Sequence, residues 1–391
     1  MSSVTSPTMN CPICRTREVA FVVKDAPAFY KDPKEPVLRL DCPKCSNYWL
    51  NAVRHADGQV AVDPPTLATI EPLTDTERAY FSECVQRMID HNCWLIIGPD
   101  NADHFLGDWR WAQTMAQRWG FEGARLMISG GGFDAANRLF FVVHQDGTRH
   151  VLRLVSRHAE PARTRTMMDW LERLRQAEVP TLTPVAGLDG AMIQTASMDG
   201  TSRQGVVFEW IAGPVWEDLP KEAVTVDLAR NFGAAVGRAH QVSATMETPN
   251  WYHCRRYDGR CFTQYMERLK AKPHRDYSAA QIAEFEGLER RLLVAMETLG
   301  EGRDDFGIVP ADLAPHNTQV VGTVPYLVDM MSFGWGYFLA DLQKAMRLTF
   351  DREEHETAFL AGYQQVRPLP RGFDQFRELF AEAKRVAVHW F

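Results

Sequence analysis

Asp312, Asn317 and Asp329 are the residues whose types and spacing could do chemistry together. They lie in PADLAPHNTQVVGTVPYLVDMMSFGWG, from Pro310 to Gly336. A positioned carboxylate can orient a hydroxyl and take its proton. A carboxamide oxygen and a second carboxylate are hard ligands of the kind magnesium prefers. Asp312 and Asn317 stand five positions apart, the spacing of the phosphoryl-transfer loop D-x-x-x-x-N. VVGTV then reads as a hairpin, and PYLVD as a strand that delivers Asp329. The competing reading is a pair of turns with polar residues at the bends, so residues elsewhere must decide.

Upstream lies RLMISGGGFDAANRLFFVVHQDGTRHVLRLV, which reads as strand, glycine turn, strand, QDGT hairpin and strand. Gly130, Gly131 and Gly132 carry no β-carbon, so backbone there can approach a phosphate and aim amides at it. A three-glycine turn can equally be only a turn. Arg153 stands in mid-strand in VLRL, where a cation either meets an anion or snorkels from an edge strand. A glycine loop, a strand cation and then the two aspartates with their asparagine, in that order, is the layout of a kinase.

The elements that must position these groups follow from periodicity. TRTMMDWLERLRQAEVP reads as a helix ending near Glu178, with Met167, Leu171 and Leu174 on one face. MIQTASMDG and GVVFEWIAGPVWEDL read as two strands and a turn. VDLARNFGAAVGRAHQVSA is an amphipathic helix whose His240 reads as packing or capping. Further helices close the chain, so a β-rich half precedes an α-rich half. Residues 60–111 read as a linker and helical connector, with no chemistry assigned to them.

CPIC and CPKC place Cys11, Cys14, Cys42 and Cys45 as two knuckles, the spacing of a tetrahedral zinc site between short strands. Cys84, Cys93, Cys254 and Cys261 show no such spacing. The chain has 391 residues, 45% hydrophobic and 24% charged, with a net charge of −7. That balance argues against broad binding to nucleic acid or anionic membranes, and leaves room for a local basic patch. No run approaches the roughly 18 apolar residues of a membrane span, and MSSVTSPTMN lacks the basic and apolar regions of a signal peptide. The cytoplasm is the expected compartment.

These motifs resemble the aminoglycoside phosphotransferase and choline kinase-like family of small-molecule kinases, over roughly Trp111 to Phe391. ARLMISGGGFDAANRLFFVV is similar to the family's nucleotide loop, HVLRLV to its third strand and VVFEWIAGPVWEDL to its hinge. FGAAVGRAHQVSA is similar to the helix that follows the hinge, VPADLAPHNTQVV to the catalytic loop and LVDMMSFGWGYFLADL to the metal-binding strand. The resemblance implies an α+β, bilobal protein-kinase-like fold, here preceded by a small zinc ribbon. The expected divisions are a ribbon at 1–58, a connector at 59–111, an N-lobe and hinge at 112–214 and a C-lobe at 215–391.

It implies ATP- and Mg2+-dependent phosphate transfer to a hydroxyl of a small molecule. Asp312 would be the catalytic base, Asn317 and Asp329 the Mg2+ ligands and Arg153 the phosphate partner. Gly130, Gly131 and Gly132 would form the nucleotide loop. Asp341 matches a residue expected to be structural. Trp335 and Tyr337 would either line the acceptor pocket or pack in the core. Zn2+ is expected at the four cysteines.

Three features depart from the family pattern. Pro310 stands where a histidine usually precedes the catalytic aspartate, and Met167 where a helix glutamate would pair with Arg153. Met330, Met331 and Ser332 follow Asp329 without a second acidic residue. The alternative they leave open is a pseudokinase, a nucleotide-binding or scaffold module whose ribbon docks a protein partner.

Overall fold

The computed structural model describes residues 99–386 except 129–137, 157–158, 199, 251 and 272–277. Ahead of 99 it describes 8–9, 18–25, 37–41, 48–54 and 60–62, with positions 43 and 76. Cys11, Cys14, Cys42 and Cys45 lie outside the described residues, as do Gly130, Gly131 and Gly132.

Short strands β1 (Thr8–Met9) and β2 (Val19–Ala20) pair antiparallel. A second sheet follows, in the order β3 (Val22–Asp25), β4 (Val37–Asp41), β5 (Tyr48–Arg54) and β6 (Val60–Val62). The chain divides into two units, residues 1–159 with 185–208, and residues 160–184 with 209–391. No helix among the described residues is long and apolar enough to cross a membrane.

In the first unit, helix α1 (Pro99–Ala116) crosses the boundary expected at 111 and contacts the main sheet. Trp111, Ala112 and Met115 are buried along it. The strands of that sheet are β7 (Arg125–Ile128), β8 (Arg138–Val143), β9 (Arg149–Leu154), β10 (Pro184–Val185), β11 (Ile193–Met198) and β12 (Thr201–Glu209). Their order is β10-β12-β9-β8-β7, with β11 on β12. Burial alternates along β8, as a half-covered strand requires. The QDGT turn joins β8 to β9 as expected, and the Asp146 carboxylate accepts from Thr148 N at 2.9 Å. Asp108 on α1 holds two buried cations, Arg138 at 2.9 Å and Arg203. This three-residue ion network fastens the helix to β8 and β12.

The second unit begins with α2 (Pro161–Gln176), which buries Met167, Leu171 and Leu174 on one face. Helices α3 (Val226–Thr245), α4 (Gly259–Ala271) and α5 (Ala279–Leu299) follow. A small sheet has the order β13 (Arg255–Tyr257), β17 (Gly334–Tyr337) and β14 (Phe306–Val309). Strands β15 (Thr318–Val321) and β16 (Val324–Leu327) form the VVGTV hairpin. The chain continues through α6 (Phe338–Thr349), α7 (Glu353–Val366) and α8 (Phe373–Val386).

Helices α3 and α7 cross at unusually short range. A Cβ on Gly233 would lie 1.8 Å from Phe359 O, and one on Gly362 would lie 1.9 Å from Arg230 O. Only glycine at both places lets the two backbones touch. Helix α6 is buried on every side from Phe338 to Met346, which places the charged side chains of Asp341 and Lys344 inside the protein.

Candidate active site

Strand β14 is buried at all four positions, and it ends at the loop that carries Asp312. Ala311, just before Asp312, has φ +63°, a left-handed conformation that costs a residue with a β-carbon about 1–2 kcal/mol. Its neighbours hold it there. The Ala311 N–H donates to Asp341 Oδ1 at 3.0 Å, and its carbonyl accepts from Lys344 Nζ at 2.9 Å. Both side chains come from one turn of α6.

Asp341 is wholly buried, and its second oxygen, Oδ2, lies 3.1 Å from His240 Nε2 on α3. His240 Nδ1 meets the Tyr363 hydroxyl at 3.0 Å, and the imidazole stacks on Phe338 with ring centroids 4.4 Å apart. Burial lowers the proton affinity of His240, with Asp341 pulling the other way. Pro310 therefore leaves the loop with an imidazole behind it, but one supplied by His240 from another helix.

Asn317 lies in a short 3-10 turn after Asp312 and is 6% exposed. Its side-chain N–H group donates to Asp312 Oδ2 at 2.9 Å and to the Asp312 carbonyl at 3.1 Å. That orientation leaves the carboxamide oxygen of Asn317 available to a cation. The hairpin then returns the chain to the loop, where Val328 N donates to Asn317 O at 3.1 Å. The next residue, Asp329, is exposed and has φ +54°. An exposed carboxylate and an oriented carboxamide are each oxygen donors of the kind that magnesium takes. Among the described residues no cluster of three or more His, Cys, Asp or Glu side chains is arranged to hold a metal. Further ligands of an ion on this pair would be phosphate and water oxygens.

The turn after Asp329 is fixed by two side chains. Arg163 of α2 donates to Met331 O at 2.6 Å, and the Tyr257 hydroxyl donates to Ser332 O at 2.5 Å. Trp170 of α2 stacks on Phe333 with centroids 5.6 Å apart. Helix α2 is thus anchored within the second unit by Arg163 and Trp170. Met167 is part of its core face at 1% exposure. Glu172 bonds Arg175 and Gln176 on its own helix, and Glu160 lies 3.9 Å from His253 Nδ1.

Arg153 sits in β9 opposite Leu139 and is 4% exposed. Trp335 stacks on Phe306 at 6.2 Å. Tyr337 faces a cleft of about 660 Å3 beside α4 and α5. Tyr337 pairs with Phe306, whereas Gly334 pairs with Val309 at the end leading to Asp312. The cleft therefore belongs to the opposite end of β14 from the loop that carries Asp312.

Lys344 was not legible from sequence. It is 5% exposed, and its Nζ lies 2.5 Å from Asp312 Oδ1. The only signal was a polar residue one turn after Asp341 in an apolar helix.

The model of the APH phosphotransferase enzyme family matches residues 129–379. No curated protein sequence matches the chain. Among solved structures, an amicoumacin kinase in complex with AMP-PNP, Ca2+ and Ami is similar, with a TM-score of 0.59 and 17% identity. The match covers 73% of this chain and 84% of that one. A microcompartment-associated aminopropanol kinase matches with a TM-score of 0.55 and 21% identity, over 72% of this chain and 88% of its own. Spectinomycin phosphotransferase in complex with ADP and spectinomycin gives 0.53 and 13%, over 71% and 84%. At these identities the likeness shows the fold.

Proposed function

The chain belongs to the phosphotransferase enzyme family, and from that membership we propose that it transfers the γ-phosphate of ATP, with magnesium, to a hydroxyl of a small molecule. The observation that carries this reading is the hydrogen bond of 2.9 Å between Asn317 and Asp312. It orients one oxygen donor for a cation and one carboxylate for a hydroxyl within a single loop.

Asp312 positions the acceptor hydroxyl and takes its proton as the phosphate is transferred. Asn317 and Asp329 would hold the magnesium ion, which when bound would offset charge developing on the transferred phosphate. Arg153, Gly130, Gly131 and Gly132 are the residues we propose would hold the phosphates of ATP, on the strength of their motif alone. Positioning and electrostatics supply most of the acceleration in such transfers. The spacing of Cys11, Cys14, Cys42 and Cys45 supports a zinc ribbon ahead of the kinase-like region. Its test is zinc content that is lost in Cys42→Ser.

The proposal is tested by Asp312→Asn, assayed with ATP, magnesium and a panel of hydroxylated small molecules. ATP binding should persist while phosphate transfer falls by about 100-fold or more. Unchanged transfer would overturn the assignment of the base.

A further inference from the structure

Lys344 is a buried cation that the reading above does not use. Taking an ammonium out of water costs several kcal/mol unless it is well paired, so its position inside α6 calls for a reason. Two of its contacts are on the catalytic loop. Nζ donates to the Ala311 carbonyl at 2.9 Å and to Asp312 Oδ1 at 2.5 Å.

The arrangement around it is reciprocal. Asp341 and Lys344 lie one turn apart on α6, where side chains three residues apart share a face. Asp341 takes the N–H of Ala311 and Lys344 takes its carbonyl. One helical turn therefore grips both polar groups of the residue whose φ of +63° aims the loop. Lys344 then reaches on to the carboxylate itself. Asp312 is held at both oxygens, Oδ1 by Lys344 and Oδ2 by Asn317. Rotating the carboxylate would break one charge-assisted hydrogen bond or the other. Asp312 is 29% exposed at its side chain while Lys344 is 5% exposed. The lysine holds the carboxylate from the protein interior.

We propose that Lys344 is a positioning residue that acts through Asp312, fixing the plane of its carboxylate for the acceptor hydroxyl. The inference rests on the phosphotransferase reading and adds to it a residue from a different element. It needs no contact between Lys344 and nucleotide or acceptor. Its effect should therefore fall on turnover and vanish when the carboxylate is gone.

The test is a double-mutant cycle on the full chain, with wild type, Lys344→Met, Asp312→Asn and the double variant, and with Lys344→Arg as the conservative control. The assay is ADP release from ATP and magnesium, with water as acceptor, and each variant's thermal midpoint is recorded. Lys344→Met should lower turnover by about 100-fold with the KM for ATP changed less than about twofold. Lys344→Arg should restore part of it. In the Asp312→Asn background Lys344→Met should have no further effect, the non-additivity expected of residues acting as one unit. An equal loss in both backgrounds, or a change confined to KM, would overturn the positioning role. A wild type that binds ATP yet releases no ADP and phosphorylates no acceptor would instead sink the phosphotransferase reading on which it stands.

Discussion

His240 Nε2 lies 3.1 Å from Asp341 Oδ2, with both side chains at zero exposure. The pair holds up the loop, because Asp341 also takes the Ala311 N–H. Burial lowers the folded-state pKa of His240, with Asp341 opposing. Above the unfolded value of about 6.5 both states are neutral and the stability contribution is intact. As pH falls below that value the unfolded chain takes up a proton that the folded chain resists, and stability is lost until the folded pKa is passed. The urea midpoint of wild type should therefore drop between pH 7.5 and 5 by more than that of His240→Gln. Equal drops would show that His240 does not govern this window.

The proposed reading gives Asn317 two tasks that two variants can separate. Asn317→Ala removes both the N–H donated to Asp312 and the oxygen offered to a cation. Its turnover should fall by about 100-fold or more, with a raised magnesium requirement. Asn317→Asp keeps an oxygen ligand but sets a second carboxylate against Asp312, so it should retain magnesium-dependent ATP binding and still turn over poorly. Initial rates across a magnesium titration distinguish the two. Wild-type rates in both variants would contradict the role given to the carboxamide.

The local part of this site was legible in the sequence, because the spacing of Asp312, Asn317 and Asp329 is set within one loop and hairpin. The QDGT hairpin and the apolar face of Met167, Leu171 and Leu174 were legible for the same reason. What could not be read were pairings made by tertiary packing. Lys344 is 32 residues from Asp312, and its role exists only because α6 is buried on all sides. Asp108 and Arg203 are 95 residues apart. The family pattern implies a glutamate on α2 paired with Arg153, and Met167 stands there instead. In the second unit the helix is tied down by Arg163 on a backbone carbonyl and by an aromatic stack.

That stack yields a stability prediction. Trp170 is fully buried against Phe333, and Trp170→Ala should cost about 3–5 kcal/mol, read by urea unfolding. A loss below about 1 kcal/mol would show that α2 does not depend on it.

In the first unit, Asp108 is the shared partner of Arg138 and Arg203, and all three are buried. Asp108→Asn removes the negative charge from between two guanidinium groups. Breaking a buried ion network from one side costs about 3–5 kcal/mol, and chemical denaturation should show a loss of that order. No change would mean that α1 is held to the sheet by its apolar face alone.

On the proposed reading, Asn317 and Asp329 hold the metal of a nucleotide site. Calorimetric titration of ATP, with and without magnesium, into wild type and Asp329→Ala measures whether they do. Magnesium-dependent binding in wild type that disappears in Asp329→Ala is the predicted result. Binding that is indifferent to magnesium, or that survives unchanged in Asp329→Ala, would contradict it.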